Sequence, residues 1–332
     1  MKYESSHMGE LKRSGQNKKH RRCFPAWLKK LTAVTMLIAV PFIAAAALST
    51  LANETLDIAR YEIKSEKLAN PVRIVMISDL HRRKLDETNQ QVVDRTALES
   101  PDLIIVNGDM LEPDYTEEEA AAYESLLSRL SAIAPVYFSA GNHDYYAYFS
   151  EIEFAKTELL RGIQPSPLVD RLESTGARFL ERDFADIEVN GNAVRIGGLY
   201  AFAFQYKDYT EEQFESIREF LESFRSTDSF TLLLCHRPVS FTAGDADCEN
   251  IDLVLSGHTH NGVIALPFGL GAIFASSSFF PEYDRGLFSL DETSLIVGAG
   301  IDGYKGIVPR VFNPPEIVTV DILPEEALSV KG

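Results

Sequence analysis

The chain alternates between short apolar runs and longer stretches in which apolar residues recur every three to four positions. The runs are rich in β-branched residues and have the length of buried strands, whereas the longer stretches are typical of amphipathic helices. This alternation predicts an α/β domain. The five runs that we interpret as buried strands cover residues 72–77, 103–106, 136–138, 230–235 and 251–255.

Four helices and several weaker strands complete this pattern. The helices are predicted over 89–98, 117–132, 151–161 and 211–226. Further strands are predicted over 61–63, 184–189, 193–199, 286–288, 294–297 and 317–322. So many strands with helices beside them indicate two stacked β-sheets covered by helices, within one domain.

An uncharged apolar segment of 21 residues, 31–51, precedes this domain. It is long enough to cross about 30 Å of hydrocarbon as a helix, and transmembrane helices tolerate a proline such as Pro41. Residues 1–30 contain nine Lys or Arg and two acids, so the positive-inside rule predicts that this tail stays in the cytoplasm. A cleaved signal peptide is the alternative, because several alanines lie near the end of the segment.

The apolar segment separates parts of opposite charge. After residue 51 there are 23 basic and 47 acidic residues, a net charge of −24. We therefore predict a single-pass protein of the cell membrane whose folded domain lies on the extracytoplasmic face. Its parts are a basic cytoplasmic tail (1–30), a transmembrane anchor (31–51), a juxtamembrane lead-in (52–70), the folded domain (71–325) and a C-terminal tail (326–332).

The chain has three cysteines, which is too few for a disulfide framework. Cys235 and Cys248 would both lie beyond the membrane, and a bridge between them is left open because their Cα separation cannot be read from spacing. A structural zinc site built on cysteine is not expected.

Each of the five buried strands ends in a polar cluster. In open α/β sheets the carboxyl ends of neighbouring strands open onto one crevice, so residues that are distant in sequence can converge there. Five of the seven histidines fall within these clusters, and imidazoles with carboxylate and amide oxygens suit Mn, Fe, Co, Ni or Zn. The clusters are Ser-Asp-Leu-His at 78–81, Asn-Gly-Asp at 107–109, Gly-Asn-His-Asp at 141–144, His-Arg-Pro at 236–238 and Gly-His-Thr-His at 257–260.

The spacing within the clusters favours more than one ion. Asp79 and His81 are two residues apart, which places both side chains on the same side of an extended segment and within reach of one ion. His258 and His260 share this spacing, but near a turn they can face different ions. The carboxylate of Asp109 has two oxygens and could bridge a pair of ions.

In this order, the clusters resemble the motifs of the calcineurin-like metallophosphoesterase superfamily, which are Asp-x-His, Gly-Asp, Gly-Asn-His-Asp, His and Gly-His-x-His. The resemblance spans residues 72–321 and is greatest to the bacterial membrane-anchored branch, which includes lipid-A-pathway pyrophosphatases. It implies a four-layer α/β/β/α sandwich with two mixed sheets. It also implies one metal ion on Asp79, His81, Asp109 and His260, and a second on Asp109, Asn142, His236 and His258.

The resemblance also implies a catalytic pair that does not bind metal. His143 would donate to the substrate, and Asp144 would accept from that imidazole and fix its tautomer. The implied reaction is in-line attack by a hydroxide held on two divalent ions. The substrate would be a phosphomonoester, phosphodiester or pyrophosphate, with envelope lipids and wall precursors as candidates.

Two other functions are alternatives to this one. A catalytically inert envelope-binding protein on the same fold is the main alternative, and the intact pair of His143 and Asp144 argues against it. A nucleotide phosphodiesterase on the cytoplasmic side is opposed by the basic tail. No nucleic-acid partner is predicted, and the sequence does not indicate the oligomeric state.

Overall fold

The computed structural model describes residues 25–149, 165–199, 211–239, 251–262, 265, 274–275, 278–279, 282–302 and 310–325. The chain divides into two compact units, 1–45 and 46–332. Helix α1 (Ala26–Leu51) covers the predicted apolar segment and contains Pro41. Across the described ranges, no helix combines the length and the hydropathy that crossing a membrane requires.

The second unit contains short helices and two large sheets. The helices are α2 (Gln90–Glu99), α3 (Glu117–Ser131), α4 (Tyr145–Tyr148), α5 (Pro167–Glu173) and α6 (Glu211–Arg225). The strands are β1 (Asp57–Ser65), β2 (Val72–Ile77), β3 (Leu103–Asn107), β4 (Val136–Ser139), β5 (Arg178–Phe179), β6 (Asp183–Val189), β7 (Asn192–Gly198), β8 (Phe230–Leu234), β9 (Leu253–Ser256), β10 (Phe274–Ala275), β11 (Ser278–Phe279), β12 (Gly286–Leu290), β13 (Thr293–Val297) and β14 (Glu316–Pro324).

Both large sheets are mixed and have six strands each. The first has the order β1-β14-β2-β3-β4-β5, and β14 is antiparallel to β2 while β2, β3 and β4 are parallel. The second has the order β12-β13-β9-β8-β7-β6, with β13, β9, β8 and β7 parallel. Helices flank these sheets, so the predicted architecture of two mixed sheets with helices beside them is confirmed.

The continuous apolar runs arise because each central strand is covered on both faces. Ile74 and Met76 of β2 belong to a core cluster that also contains Leu232 of β8. Because this cluster draws residues from both sheets, it forms the layer between them. The intervening residue of β2, Val75, belongs to a second cluster with helix residues such as Leu126 of α3. Side chains alternate across a strand, so burial of both faces removes the polar positions that a half-exposed strand would show.

The observed bounds agree closely with those predicted from the sequence. Strand β2 has the predicted limits, whereas β9 begins at Leu253, two residues later than the predicted start. Strand β1 lies within the predicted lead-in and pairs along its whole length with β14, so this segment is an edge strand of the first sheet. The predicted helix 151–161 and Cys248 lie outside the described residues.

Candidate metal centre

The polar clusters lie at the carboxyl ends of parallel strands. Asp79 and His81 follow β2, Asp109 follows β3, and the cluster at 141–144 follows β4. His236 follows β8, and the cluster at 257–260 follows β9 of the other sheet. The two sheets bring these ends together, since Nε2 of His236 lies 3.1 Å from Oδ2 of Asp109.

Six of the seven predicted ligands form two close groups. Asp79, His81 and His260 each place one ligand atom within 4.8 Å of the others. Asp109, His236 and His258 form a second group of the same size. These groups match the two predicted ligand sets, apart from the shared Asp109 and from Asn142.

Asp109 connects the two groups. Its Oδ2 lies 3.8 Å from Nε2 of His81 and 3.1 Å from Nε2 of His236. Oδ1 of Asp79 also lies 3.7 Å from Nε2 of both His236 and His260. The carboxylate of Asp109 therefore occupies the position that a bridging ligand requires.

The residues present fit divalent cations. Within the described part of the chain, Oδ2 of Asp79, Nε2 of His81 and Oδ1 of Asn142 are buried without a hydrogen-bond partner. Buried polar atoms are almost always paired, so a group of unpaired ligand atoms at one point indicates a missing partner. Carboxylate and amide oxygens with imidazole nitrogens are the ligands of borderline to hard metals.

Hydrogen bonds at Nδ1 orient two of the imidazoles. His236 donates from Nδ1 to the carbonyl oxygen of Asn107 at 2.8 Å, and His260 donates to that of Asp302 at 3.0 Å. A carbonyl can only accept, so these contacts fix the tautomer and leave Nε2 of each ring facing the acids. His258 is held through its backbone, whose N–H donates to Oδ1 of Asp79 at 3.0 Å.

Among the described residues, the carboxylate of Asp144 makes no hydrogen bond to the imidazole of His143, so these contacts do not support the predicted role of Asp144. Its two carboxylate oxygens accept the backbone N–H groups of Gly141 at 2.7 Å and Met110 at 2.9 Å. The side chain is fully buried and joins the loop after β3 to the loop after β4. Asp144 therefore holds together the loops that carry Asp109 and Asn142.

Glu112 takes the position that was predicted for Asp144. Its Oε2 lies 2.8 Å from Nδ1 of His143, and its Oε1 lies 2.9 Å from Nδ1 of His81. Sequence reasoning missed Glu112, although one signal was available, namely a carboxylate three residues after Asp109 in the same strand-end loop. The main chain of His143 is also held, because its N–H donates to Oδ1 of Asp109 at 2.7 Å.

The sequence of this domain matches a known family over the part that contains these groups. The model of calcineurin-like phosphoesterases matches residues 72–262, which is more than half of the chain. The chain belongs to the calcineurin-like phosphoesterase family. The resemblance noted from the motifs is therefore confirmed.

Several relatives resemble this metallophosphoesterase over most of its length. An uncharacterised metallophosphoesterase of Campylobacter jejuni is 27% identical over 89% of this chain and 70% of its own length. One from Helicobacter pylori is 25% identical over 78% of this chain, which spans only 62% of that relative. The UDP-2,3-diacylglucosamine pyrophosphatase of Chlamydia muridarum is 26% identical over 76% of this chain and 84% of its own length.

The charges of this metallophosphoesterase site favour cations. Burial disfavours the charged imidazole of His81, but the hydrogen bond to Glu112 and the charges of Asp109 and Asp79 outweigh it and raise its pKa to about 9. Burial also opposes the charged form of His236, yet the same two aspartates raise its pKa to about 9. The negative charges that raise the pKa of these buried imidazoles also attract metal ions.

The imidazoles of His258 and His260 behave in the opposite way. Burial lowers the pKa of His260 to about 4, and Asp79 offsets this only in part. Burial and the neighbouring His236 hold the pKa of His258 well below its ordinary value. Both rings are therefore neutral near pH 7, the form in which histidine binds metals.

Five of the predicted metal ligands have an unusual backbone conformation. Asp79, His81, Asp109, His258 and His260 all have left-handed backbones, with φ between 49° and 70°. Non-glycine residues rarely adopt this conformation, which costs about 1 to 3 kcal/mol each and is retained mainly at functional sites. Strain at these five positions is consistent with a functional site.

Proposed function

We propose that this metallophosphoesterase hydrolyses a phosphate ester at a dinuclear metal centre. One ion is held by Asp79, His81, Asp109 and His260, and the other by Asp109, Asn142, His236 and His258. The observation that carries this proposal is the pair of ligand groups joined by the Asp109 carboxylate. The ligand types suit Mn, Fe, Zn, Co or Ni.

When bound, two divalent ions would supply an activated water nucleophile and neutralise charge on the phosphate during an in-line displacement. The chain contributes the general acid. Glu112 holds Nδ1 of His143 and leaves Nε2 of this partly exposed ring for the leaving oxygen of the substrate. Burial opposes the charged form of His143, but Glu112 and Asp109 outweigh burial and raise its pKa, which favours the protonated form that a general acid needs.

The substrate class is a phosphomonoester, a phosphodiester or a pyrophosphate. The similarity to a UDP-2,3-diacylglucosamine pyrophosphatase supports a pyrophosphate of an envelope lipid as a candidate, beside wall precursors. The location in this proposal is the extracytoplasmic face of the cell membrane. It is supported by the uncharged segment 31–51 and the basic tail before it.

The reaction is tested with the full chain, purified and supplied with each of the five metals. The substrates are p-nitrophenyl phosphate, bis-p-nitrophenyl phosphate and UDP-2,3-diacylglucosamine. We expect Asp109→Asn to abolish metal-dependent turnover, because it weakens a carboxylate whose Oδ2 faces both His81 and His236. Asp114→Asn is the matched control, since Asp114 is 80% exposed, and it should leave turnover unchanged.

Two outcomes would contradict this proposal. Turnover that survives in Asp109→Asn would exclude the dinuclear mechanism. Absence of turnover with every metal, while two ions bind, would favour the inert envelope-binding protein. The location has its own test, because a cysteine engineered at Glu188 should react with an impermeant maleimide in intact cells, and labelling only after lysis would contradict the extracytoplasmic placement.

A further inference from the structure

Arg310 is a buried cation beside the metal centre. Its side chain is among the largest that are fully buried, and the residue is only 1% exposed. Within the described residues, its guanidinium donates only to neutral oxygens. These are the carbonyls of Ala299 at 2.9 Å, Gly300 at 3.1 Å, Asp302, and Asn313 at 2.7 Å, together with Oδ1 of Asn313 at 3.0 Å.

A buried charge without a direct carboxylate partner is expensive, so its retention calls for a reason. Burial lowers the pKa of Arg310 to about 10, and the charges of Glu316 and Asp79 offset this in part. The side chain therefore stays charged at neutral pH. Its five donors form a planar fork that only arginine provides.

The loop that Arg310 holds, residues 298–302, packs against the Asp79 group. The backbone N–H of Ile301 donates to the carbonyl of Ser78 at 3.2 Å, and that of Asp302 donates to the carbonyl of Asp79 at 2.7 Å. The carbonyl of Asp302 accepts from Nδ1 of His260 at 3.0 Å. One carbonyl thus accepts both from Arg310 and from a predicted metal ligand.

Asn313 holds the other side of His260. Its Nδ2 donates to the carbonyls of His260 at 2.7 Å and Gly262 at 2.8 Å, while its Oδ1 accepts from Arg310 and from Nδ2 of Asn261. Arg310 therefore acts on the ring of His260 through Asp302, and on its backbone through Asn313. His236 is oriented by a different residue, since its Nδ1 is held by the carbonyl of Asn107.

We propose that Arg310 is a positioning residue for one ion of the pair, the ion on Asp79, His81 and His260. The inference rests on the proposed dinuclear centre, and it states that Arg310 supports only one of the two metal sites. Without the Arg310 guanidinium, the Asp302 carbonyl loses a hydrogen bond that holds it in place. The imidazole of His260, which donates to that carbonyl, can then rotate away from Asp79. The other ion keeps the support of His236, whose Nδ1 is held by the carbonyl of Asn107.

The test is Mn²⁺ titration of the full-length protein by isothermal calorimetry, with circular dichroism as the check of folding. Arg310→Lys keeps the charge but cannot span the four carbonyls. We expect one of two Mn²⁺ sites to weaken by about 10- to 100-fold, the usual effect of removing a group that orients a metal ligand. Arg73→Lys is the matched control. The guanidinium of Arg73 donates two hydrogen bonds to the carboxylate of Asp321, and Arg73 lies about 20 Å from the site along β2.

A second variant keeps the inference testable if Arg310→Lys fails to fold. Asn313→Asp retains the oxygen that accepts from Arg310 and removes the two donations to the His260 loop. We expect it to weaken the same Mn²⁺ site. In a His260→Ala background, which already lacks that site, neither substitution should change the affinity of the remaining one.

Equal weakening of both sites, or unchanged affinity of both in a folded variant, overturns the positioning role of Arg310. Wild-type protein that binds fewer than two Mn²⁺ ions instead overturns the dinuclear centre, and this inference with it. The two failures are distinguished by the wild-type titration alone.

Discussion

At the scale of single residues, the site depends on which carboxylate each imidazole meets. Glu112 contacts both His81 and His143, whereas Asp144 is used for backbone N–H groups. Hydrogen bonds to the two imidazoles hold the pKa of Glu112 far below its ordinary value. Glu112 is thus a permanent anion that couples a predicted metal ligand to the predicted general acid.

Replacing Glu112 by glutamine should shift the pH dependence of activity. The neutral amide removes the charge that raises the pKa of His143, so this pKa should fall. Activity that needs protonated His143 is lost as the pH rises through that pKa, and in Glu112→Gln the loss should begin at lower pH. We expect kcat on phenyl phosphate at pH 8 to fall by about 10²-fold.

The choice of substrate provides a control for the Glu112 prediction. p-Nitrophenyl phosphate has a less basic leaving oxygen and needs less proton donation, so its kcat should fall much less. Glu118→Gln, at an exposed position of α3, should change neither profile. An equal loss on both substrates would show that Glu112 acts on metal binding alone.

Glu181 carries a second residue-scale prediction, on stability rather than activity. Its Oε2 is buried without a partner among the described residues, and burial raises its pKa to about 8. A carboxyl with a raised pKa contributes stability below its unfolded pKa, near 4.5, and this contribution is lost as the pH rises to 8.

Glu181→Gln should therefore raise the free energy of unfolding at pH 8.5 by about 1 to 3 kcal/mol and leave it nearly unchanged at pH 4. Urea denaturation at the two pH values measures this difference. Glu188→Gln, at an exposed position of the neighbouring strand β6, should have no effect at either pH. Equal effects of Glu181→Gln at both pH values would contradict the burial of this charge.

At the scale of elements, the loops after the strands approach one another more closely than side chains would allow. Gly300 has φ +64°, and a Cβ there would lie 2.5 Å from Cβ of Asp79. The loop after β13 can therefore pack on the loop after β2 only through glycine. This close approach delivers the carbonyl of Asp302 to His260.

Gly300→Ala should consequently disrupt the metal site. We expect Mn²⁺ affinity to fall by about tenfold or more, because Asp79 must move. Gly176→Ala is a matched control, since Gly176 has φ +95° but a Cβ there would meet Ser131 at an ordinary 3.6 Å. It should lower stability by about 1 to 2 kcal/mol through strain and leave calorimetric Mn²⁺ affinity unchanged.

At the scale of the whole molecule, the site joins the two sheets. Asp79 and Asp109 extend from the first sheet, and His236, His258 and His260 from the second. Two buried carboxylates repel each other unless cations are present, so bound ions should stabilise the pairing of the sheets. Each ion at 100 times its Kd adds about 2.7 kcal/mol.

Metal removal should therefore lower the thermal stability of the whole domain. We expect saturating Mn²⁺ to raise Tm by several degrees and a chelator to reverse the rise, as measured by differential scanning calorimetry. In Asp109→Asn the rise should be at most half as large. A Tm that does not respond to Mn²⁺ in the wild type would contradict a site that spans both sheets.

The sequence alone predicted most of the described strands and helices, though not α4, α5 or β5, and it supplied the ligand candidates. Strands buried on both faces must be continuously apolar, and the helices must be periodic, so local pattern specified both. The clusters at the strand ends were visible because parallel strands bring their carboxyl ends to one edge. Position and residue type marked Asp79 and Asp109 as ligand candidates, and the resemblance to the phosphoesterase motifs added His236.

Only the tertiary structure decided the contacts behind those ligands. Whether Glu112 or Asp144 meets His143 depends on the direction in which each loop turns, and both acids lie within a few residues of a motif. The role of Arg310 depends on a segment after β13 that folds back over the loop after β9. Such contacts between distant loops leave no periodic signal in a sequence, because they are set by backbone carbonyls that every residue has.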